Sequence, residues 1–284
     1  MACIPLEVFS GEVNEHLAHV YARLHGGGAI SGYVRGPFNA FTETLPSTTL
    51  FRDLGPGDTR LGLAVVADPC TWSPQSPSTY QVQVESNGIL HQNDAFGIRR
   101  FGVLGKSFYL DGKRWVIRGA FDEELTTHMT DWRAAGAVRV VRSISALPGV
   151  HEILRDATRS GVVVIVGLGE KTNSFPLKSI ADNACSPVVV LPQDARMTRQ
   201  HRKEAPNLLF AQRLEDRAVP DDWADAVWLE FTEIQDFARR IDAIDLPIIA
   251  VRRGHFASLN AARAAIDTLQ ADLAPIGQFA GYVV

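Results

Sequence analysis

The chain has 284 residues, 46% hydrophobic and 21% charged, and its 28 basic and 32 acidic side chains leave a net charge of −4. That length holds two domains or one large one. The near balance of charge gives no reason to expect nucleic acid or an anionic membrane as a partner. Cys3, Cys70 and Cys185 lie far apart without metal-ligand spacing, so they read as free thiols of a reducing compartment. The first residues lack a basic segment followed by an apolar run, so no signal peptide is expected. The most apolar run, Gly161 to Gly169, is far too short to span a bilayer. A cytoplasmic protein is the expectation.

Residues 1–107 read as all-β. Turn signals are dense: Gly26-Gly27-Gly28, Gly36-Pro37, Gly55-Pro56-Gly57-Asp58, and Pro74 with Pro77. Short strand-like runs lie between them, such as Leu61 to Val66 and Tyr80 to Val84. This spacing suggests a sandwich. Next come Phe96-Gly97-Ile98-Arg99 and the β-formers Phe101, Val103, Phe108 and Leu110. Asp111-Gly112 is a strong two-residue hairpin turn, from which Lys113 to Ile117 returns as a strand. An ordinary hairpin inside one domain is the alternative.

From Trp115 onward, apolar runs alternate with helical patterns. The runs are Val116–Gly119, Val138–Arg142, Val162–Val166, Val188–Leu191, Leu208–Ala211, Ala226–Glu230, Pro247–Val251 and Phe279–Val284. Unbroken apolar runs suit parallel strands buried on both faces. Asp122 to Gly136 starts acidic and ends at glycine, as a helix should. Val150 to Thr158 and Leu259 to Leu269 carry helical spacing. Eight strands and seven crossovers fit a (β/α)8 barrel with minimal loops, since that fold typically takes about 250 residues. An open doubly wound sheet is the rival. The fold expected is an all-β immunoglobulin-like sandwich over residues 1–107, then a compact α/β (β/α)8 TIM-type barrel over 108–284.

The stretch Phe96 to Gly119 resembles the seam of glycoside hydrolase family 2, the β-galactosidase and β-glucuronidase family. The family pattern is roughly F-G-I-R, then F-x-L-N-G-K-x-x-x-L-R-G; here Asp111 stands for the Asn and Ile117 for the Leu. Trp72 to Tyr80 is similar to the family's W-x-P-x-x-P-x-L-Y segment. The resemblance implies a sandwich handing over to a barrel. It also implies a preceding jelly-roll domain, for which this length leaves no room.

The family's retaining mechanism needs an acid–base Glu after the fourth barrel strand and a nucleophilic Glu at the end of the seventh, about 5 Å apart. In the fourth, Gln193-Asp194 replaces Asn-Glu; a competing alignment puts Leu214-Glu215 there. In the seventh, Leu246 to Gly254 resembles K-P-I-I-x-x-E-Y/F-G, and the nucleophile falls on Arg252. An arginine cannot form a glycosyl ester. The resemblance therefore implies that Arg252 lies in the barrel mouth, paired with Asp194, Glu230 or Glu170. Arg142 or Arg139 stands where the family has an Arg, and Phe279-Ala280-Gly281-Tyr282 resembles its closing segment without the Trp. Catalytic candidates are Asp194 and Glu230, with Glu170 as a further acid; substrate-binding candidates are Arg142, Gln193, Trp228, Arg252 and Tyr282.

Other signals are weaker. Arg196 to Arg202, with His201, reads as a solvated helix, and Gly167 to Lys171 lacks the spacing of a phosphate loop. No metal or cofactor is expected, and the oligomeric state is left open. Three functions stay open: a degenerate homologue that has lost hydrolysis and binds carbohydrate; an active O-glycosidase using Asp194 with another strand-end acid; and a non-catalytic structural or interaction module.

Overall fold

The computed structural model describes residues 6–25, 28–55, 59–122, 128–142, 150–169, 174–215 and 218–284. Its first half is two antiparallel sheets. One has β1 (Glu7–Val13), β2 (Leu17–His25), β6 (Thr59–Ala67) and β5 (Arg52–Asp53), in that order. The other has β4 (Ser47–Leu50), β3 (Ser31–Phe38), β7 (Thr79–Ser86) and β8 (Ile89–Phe96). Period-two burial makes these strands: Ala18, Val20, Ala22 and Leu24 point inward from β2 while their neighbours stay partly exposed. They share a core with Val34, Tyr80, Val82 and Phe96 of the other sheet. Gly36-Pro37, expected as a turn, lies inside β3, where a side chain on Gly36 would run into the Tyr80 ring.

A small antiparallel sheet follows, of β9 (Phe101–Leu104), β10 (Ser107–Leu110) and β11 (Lys113–Trp115). Asp111 and Gly112 have φ of 54° and 76°, the paired positive values that a tight two-residue hairpin demands. Phe108 is fully buried and belongs to the core of the barrel.

The second half is a closed barrel of eight parallel strands. They are β12 (Ile117–Phe121), β13 (Val138–Val141), β14 (Val164–Gly167), β15 (Val188–Leu191), β16 (Leu209–Leu214), β17 (Ala226–Glu230), β18 (Ile248–Val251) and β19 (Gly281–Val283). Each falls on one of the eight apolar runs, and the closed ring excludes the open sheet.

Helices α1 (Met129–Ala135), α2 (Val150–Ser160), α3 (Ser174–Ala181), α4 (Arg199–Glu204), α5 (Ile234–Ile241) and α6 (Leu259–Leu273) lie in the connections. Gly136 ends α1 in the left-handed conformation, as expected of it. Between β16 and β17 the described residues form turns and no helix. There Arg202 of α4 reaches Asp225 at 2.7 Å, and Pro220 offers no N–H. Among the described residues the connections thus carry six helices, one fewer than the seven crossovers expected. Among the described residues no helix is long and apolar enough to cross a membrane.

Which side chains enter the barrel follows from one contact. The rings of Phe121 on β12 and Trp228 on β17 meet edge-on, centroids 6.1 Å apart. Those strands are not neighbours, so both rings project inward. Paired residues in a sheet share a face and successive residues alternate. Trp228 pairs with Arg213 and Ile249, and Glu230 with Val251. Arg213, Trp228, Glu230, Val251 and the next alternate position, Arg253, therefore face inward.

Candidate functional site at the barrel mouth

The C-terminal ends of β12, β13, β16, β17 and β18 bring Phe121, Arg142, Arg213, Glu230 and Arg253 to one end of the barrel. Glu230 and Arg253 form a two-pronged ion pair: Arg253 Nε donates to one carboxylate oxygen and Nη2 to the other at 3.0 Å. Both side chains are 36% exposed, as expected for a pair at an open mouth. The Phe121 ring lies between two guanidinium groups, 4.6 Å from Arg142 and 5.1 Å from Arg253. Trp228 lies beneath them, only 1% exposed.

The expectation for Arg252 is overturned. Its Nη1 donates to Asp272 of α6 at 2.9 Å, so the side chain points into the helical layer. The inward cation at this strand end is Arg253, one residue later. Alternation fixes this: Ile249 and Val251 face the barrel interior, so Arg252 faces away from it. Tyr282 also faces outward, since it pairs with Ala250 and Arg118. Its ring meets Phe279, which in turn packs on Phe237 of α5, making Tyr282 a core residue under the helices.

Gln193 and Asp194 lie exposed beyond β15, confirmed as the fourth barrel strand. The Gln193 side-chain oxygen accepts from the backbone N–H of Glu215 at 2.7 Å, and its backbone carbonyl accepts from Gln212 at 3.0 Å. Gln193 thus ties two strand ends together. Among the described residues Asp194 makes no hydrogen bond or ion pair with Glu230. Glu170 lies outside the described residues. Arg139 pairs with Asp122 at 2.8 Å on the outer face, so Arg142 is the arginine of this strand at the mouth. His201 closes the start of α4, with Thr198 N donating to its Nδ1 at 3.1 Å.

Sequence reasoning missed Phe121, Arg213 and Arg253. The signal that finds them is the phase of the alternation, which needs the register of neighbouring strands.

The opposite end of the barrel meets the sandwich. Gly97 is pressed against it so closely that a side chain there would lie 2.4 Å from the Ala184 Cβ. Arg99 donates to the carbonyls of Asn183, Ala184 and Asn207. Burial lowers its pKa to about 10. Trp72 donates to the Thr158 carbonyl at 2.8 Å. Gly97, Arg99, Ala184 and Asn207 border a groove of about 390 Å³ that also touches Ser10, Tyr109 and Asp182. The family-like seam residues are therefore structural. Burial pushes the Cys185 thiol up to about 12, and its sulfur lies 3.1 Å from the Leu154 carbonyl. Among the described residues no group of three His, Cys, Asp or Glu could hold a metal ion.

Neither a protein-family model nor a curated protein matches the chain. Solved structures do. A β-glucuronidase from Ruminococcus gnavus is 13% identical with a TM-score of 0.63, covering 98% of this chain and 60% of its own. A family 2 β-galacturonidase from Eisenbergiella tayi bound to galacturonate is 11% identical, TM-score 0.58, with 98% and 63% covered. A glycosyl hydrolase family 2 member from Bacteroides cellulosilyticus is 13% identical, TM-score 0.63, with 98% and 44% covered. These neighbours are family 2 glycosidases, and at such identities the likeness shows the fold. The chain spans less than two thirds of their length.

Proposed function

We propose that this chain is a degenerate relative of the family 2 glycosidases, one that binds carbohydrate at its barrel mouth and does not hydrolyse glycosides by the two-step retaining route. We read residues 1–107 as an immunoglobulin-like sandwich and 108–284 as a compact (β/α)8 barrel on the same footing. One observation carries the functional reading: at the end of the seventh barrel strand the inward side chain is Arg253, and it holds Glu230 in a two-pronged ion pair. A retaining site needs one carboxylate free to attack and another able to give a proton. A guanidinium does neither. A carboxylate clamped by it has both oxygens engaged and is not free to attack. Polar side chains converging on an open barrel end suit sugar hydroxyls. The neighbours' names, one with bound galacturonate, point to the same ligand class.

The test is trapping. The protein is incubated with 2-fluoro β-galactoside and 2-fluoro β-glucuronide inhibitors and its intact mass measured. The expected spectrum is that of the unmodified chain, with aryl β-glycosides uncleaved. A covalent adduct on Glu230, Asp194 or any other carboxylate overturns the loss of hydrolysis. Saccharide binding is read separately, as chemical-shift changes at Phe121 and Arg253 when galactose or galacturonate is added.

A further inference from the structure

We propose that Arg213 and Trp228 form an oxyanion-binding pocket on the inner face of the barrel, taking a carboxylate, sulfate or phosphate group of the ligand. The proposal rests on the mouth being a binding site, as above, and adds the charge of what binds there.

The two side chains are register partners on β16 and β17, so they stand side by side inside the barrel. Each has a buried N–H without an acceptor: Nε of Arg213 and Nε1 of Trp228. Leaving one buried donor unsatisfied costs about 1–3 kcal/mol, more for a charged group. Native interiors rarely carry two together without a use for them.

Other arginines sharpen the contrast. Arg118 and Arg240 also have a buried Nε without a partner. Yet Arg118 donates to Gln270 at 3.1 Å, and Arg240 to the carbonyls of Glu230 and Leu214 at 2.9 and 3.0 Å. Among the described residues Arg213 has no acceptor and no counter-ion. Three of the described acids on these strands and their connection are engaged elsewhere. Glu230 is held by Arg253, Asp221 by Gln212 and Trp223, and Asp225 by Arg202. Glu215, two residues beyond Arg213, is exposed and makes no ion pair with it. A guanidinium prefers planar or tetrahedral oxyanions, which accept two of its N–H groups at once. An indole N–H beside it supplies a further donor, and neither residue supplies an acceptor. A neutral sugar hydroxyl satisfies such a donor set less well than an oxyanion does.

The test uses the whole chain labelled with nitrogen-15. The Trp228 indole resonance is assigned by its disappearance in Trp228→Phe. Sodium sulfate, sodium phosphate, galacturonate and galactose are titrated separately, at constant ionic strength. The expected result is a saturable shift of that resonance with at least one of the three anions, and none with galactose. Which anion binds most tightly separates a carboxylate ligand from a sulfated or phosphorylated one. Arg213→Gln is expected to weaken anion binding at least tenfold, and Arg213→Lys to restore part of it; thermal unfolding of both variants confirms that they fold. If no anion moves the resonance while galactose binds at the mouth, the oxyanion pocket is refuted and the carbohydrate reading stands. Silence from all four ligands overturns both. Anion binding that Arg213→Gln leaves unchanged places the ion elsewhere and also overturns the pocket.

Discussion

At the end of the barrel that meets the sandwich, Arg99 gives its guanidinium to the carbonyls of Asn183, Ala184 and Asn207, and Arg133 gives its own to those of Pro74, Gln75 and Ser160. At the mouth, Arg253 faces a half-exposed carboxylate, and Arg213 has no acceptor among the described residues. The same side chain is used differently at the two ends. Backbone carbonyls cannot leave or titrate, so arginines fixed on them hold the halves together permanently. A carboxylate at an open mouth can exchange its partner for water or a ligand. If that contrast is right, substitutions at the seam cost folding stability, whereas substitutions at the mouth alter binding.

The largest effect is expected at Trp72. It is fully buried, it packs with the barrel core, and its indole N–H donates to Thr158 of α2. Trp72→Ala should lower the unfolding free energy by about 3–5 kcal/mol. Trp72→Phe and Trp228→Phe remove similar volumes, but only the first breaks a hydrogen bond that is made. Trp72→Phe should therefore cost about 1 kcal/mol more than Trp228→Phe in urea unfolding. Equal costs would mean that the seam bond adds nothing.

Gly97 comes next. Gly97→Val drives a side chain into Ala184 and Trp72, which are parts of packed backbone and core. An overpacking penalty of about 1–3 kcal/mol is expected from thermal unfolding. A neutral result would show that the sandwich can back away from the barrel.

How much of this was legible beforehand varies with the kind of information each feature needs. The eight barrel strands were readable because a strand buried on both faces is an unbroken apolar run, whatever its neighbours do. Asp111-Gly112 was readable because positive φ at two successive residues restricts the choice of residue. The inward face of each strand was not readable, because its phase depends on register with the strands beside it. Arg252 and Arg253 differ by one position, and that position exchanges the helical layer for the mouth. Tyr282 was misplaced for the same reason. Gly36-Pro37 looked like a turn because the Tyr80 ring that demands a glycine there comes from a distant strand.

The seam also carries two carboxylates with opposite pH dependence. Burial works to raise the pKa of Glu7, but hydrogen bonds from Lys178 and Arg23 and their charges outweigh it and hold the pKa below its ordinary value. Its contribution to stability is present above about pH 4.5 and is lost as pH falls through the lowered folded value. Asp182 keeps some exposure to the groove, yet protein encloses most of it. Burial, with a lesser push from Glu7, raises its pKa to about 7 against the hydrogen bond from Val8. Its contribution is complete below about pH 3.8 and is lost as pH rises towards 7. The advantage of Asp182→Asn over the parent should therefore grow as pH rises from about 3.8 towards 7, so that it is larger at pH 8 than at pH 5. Unfolding in urea at the two pH values measures this. An unchanged gap between them would mean that the groove is wet enough to solvate the carboxylate.

The smallest effect on stability is expected at Glu230. Its pair with Arg253 has the best geometry of the mouth, but both partners are 36% exposed, so water competes for them. Exposed pairs contribute about 0.2–1 kcal/mol, and salt screens them. Glu230→Gln keeps the shape and removes the charge. It should change the unfolding free energy by less than about 1 kcal/mol, and by still less in 1 M salt. The same substitution removes the carboxylate charge that Arg253 holds at the mouth, so an anionic ligand should bind more tightly. A cost as large as that of Trp72→Ala would instead make the ion pair part of the barrel's framework. The two ends of the barrel would then use their arginines alike.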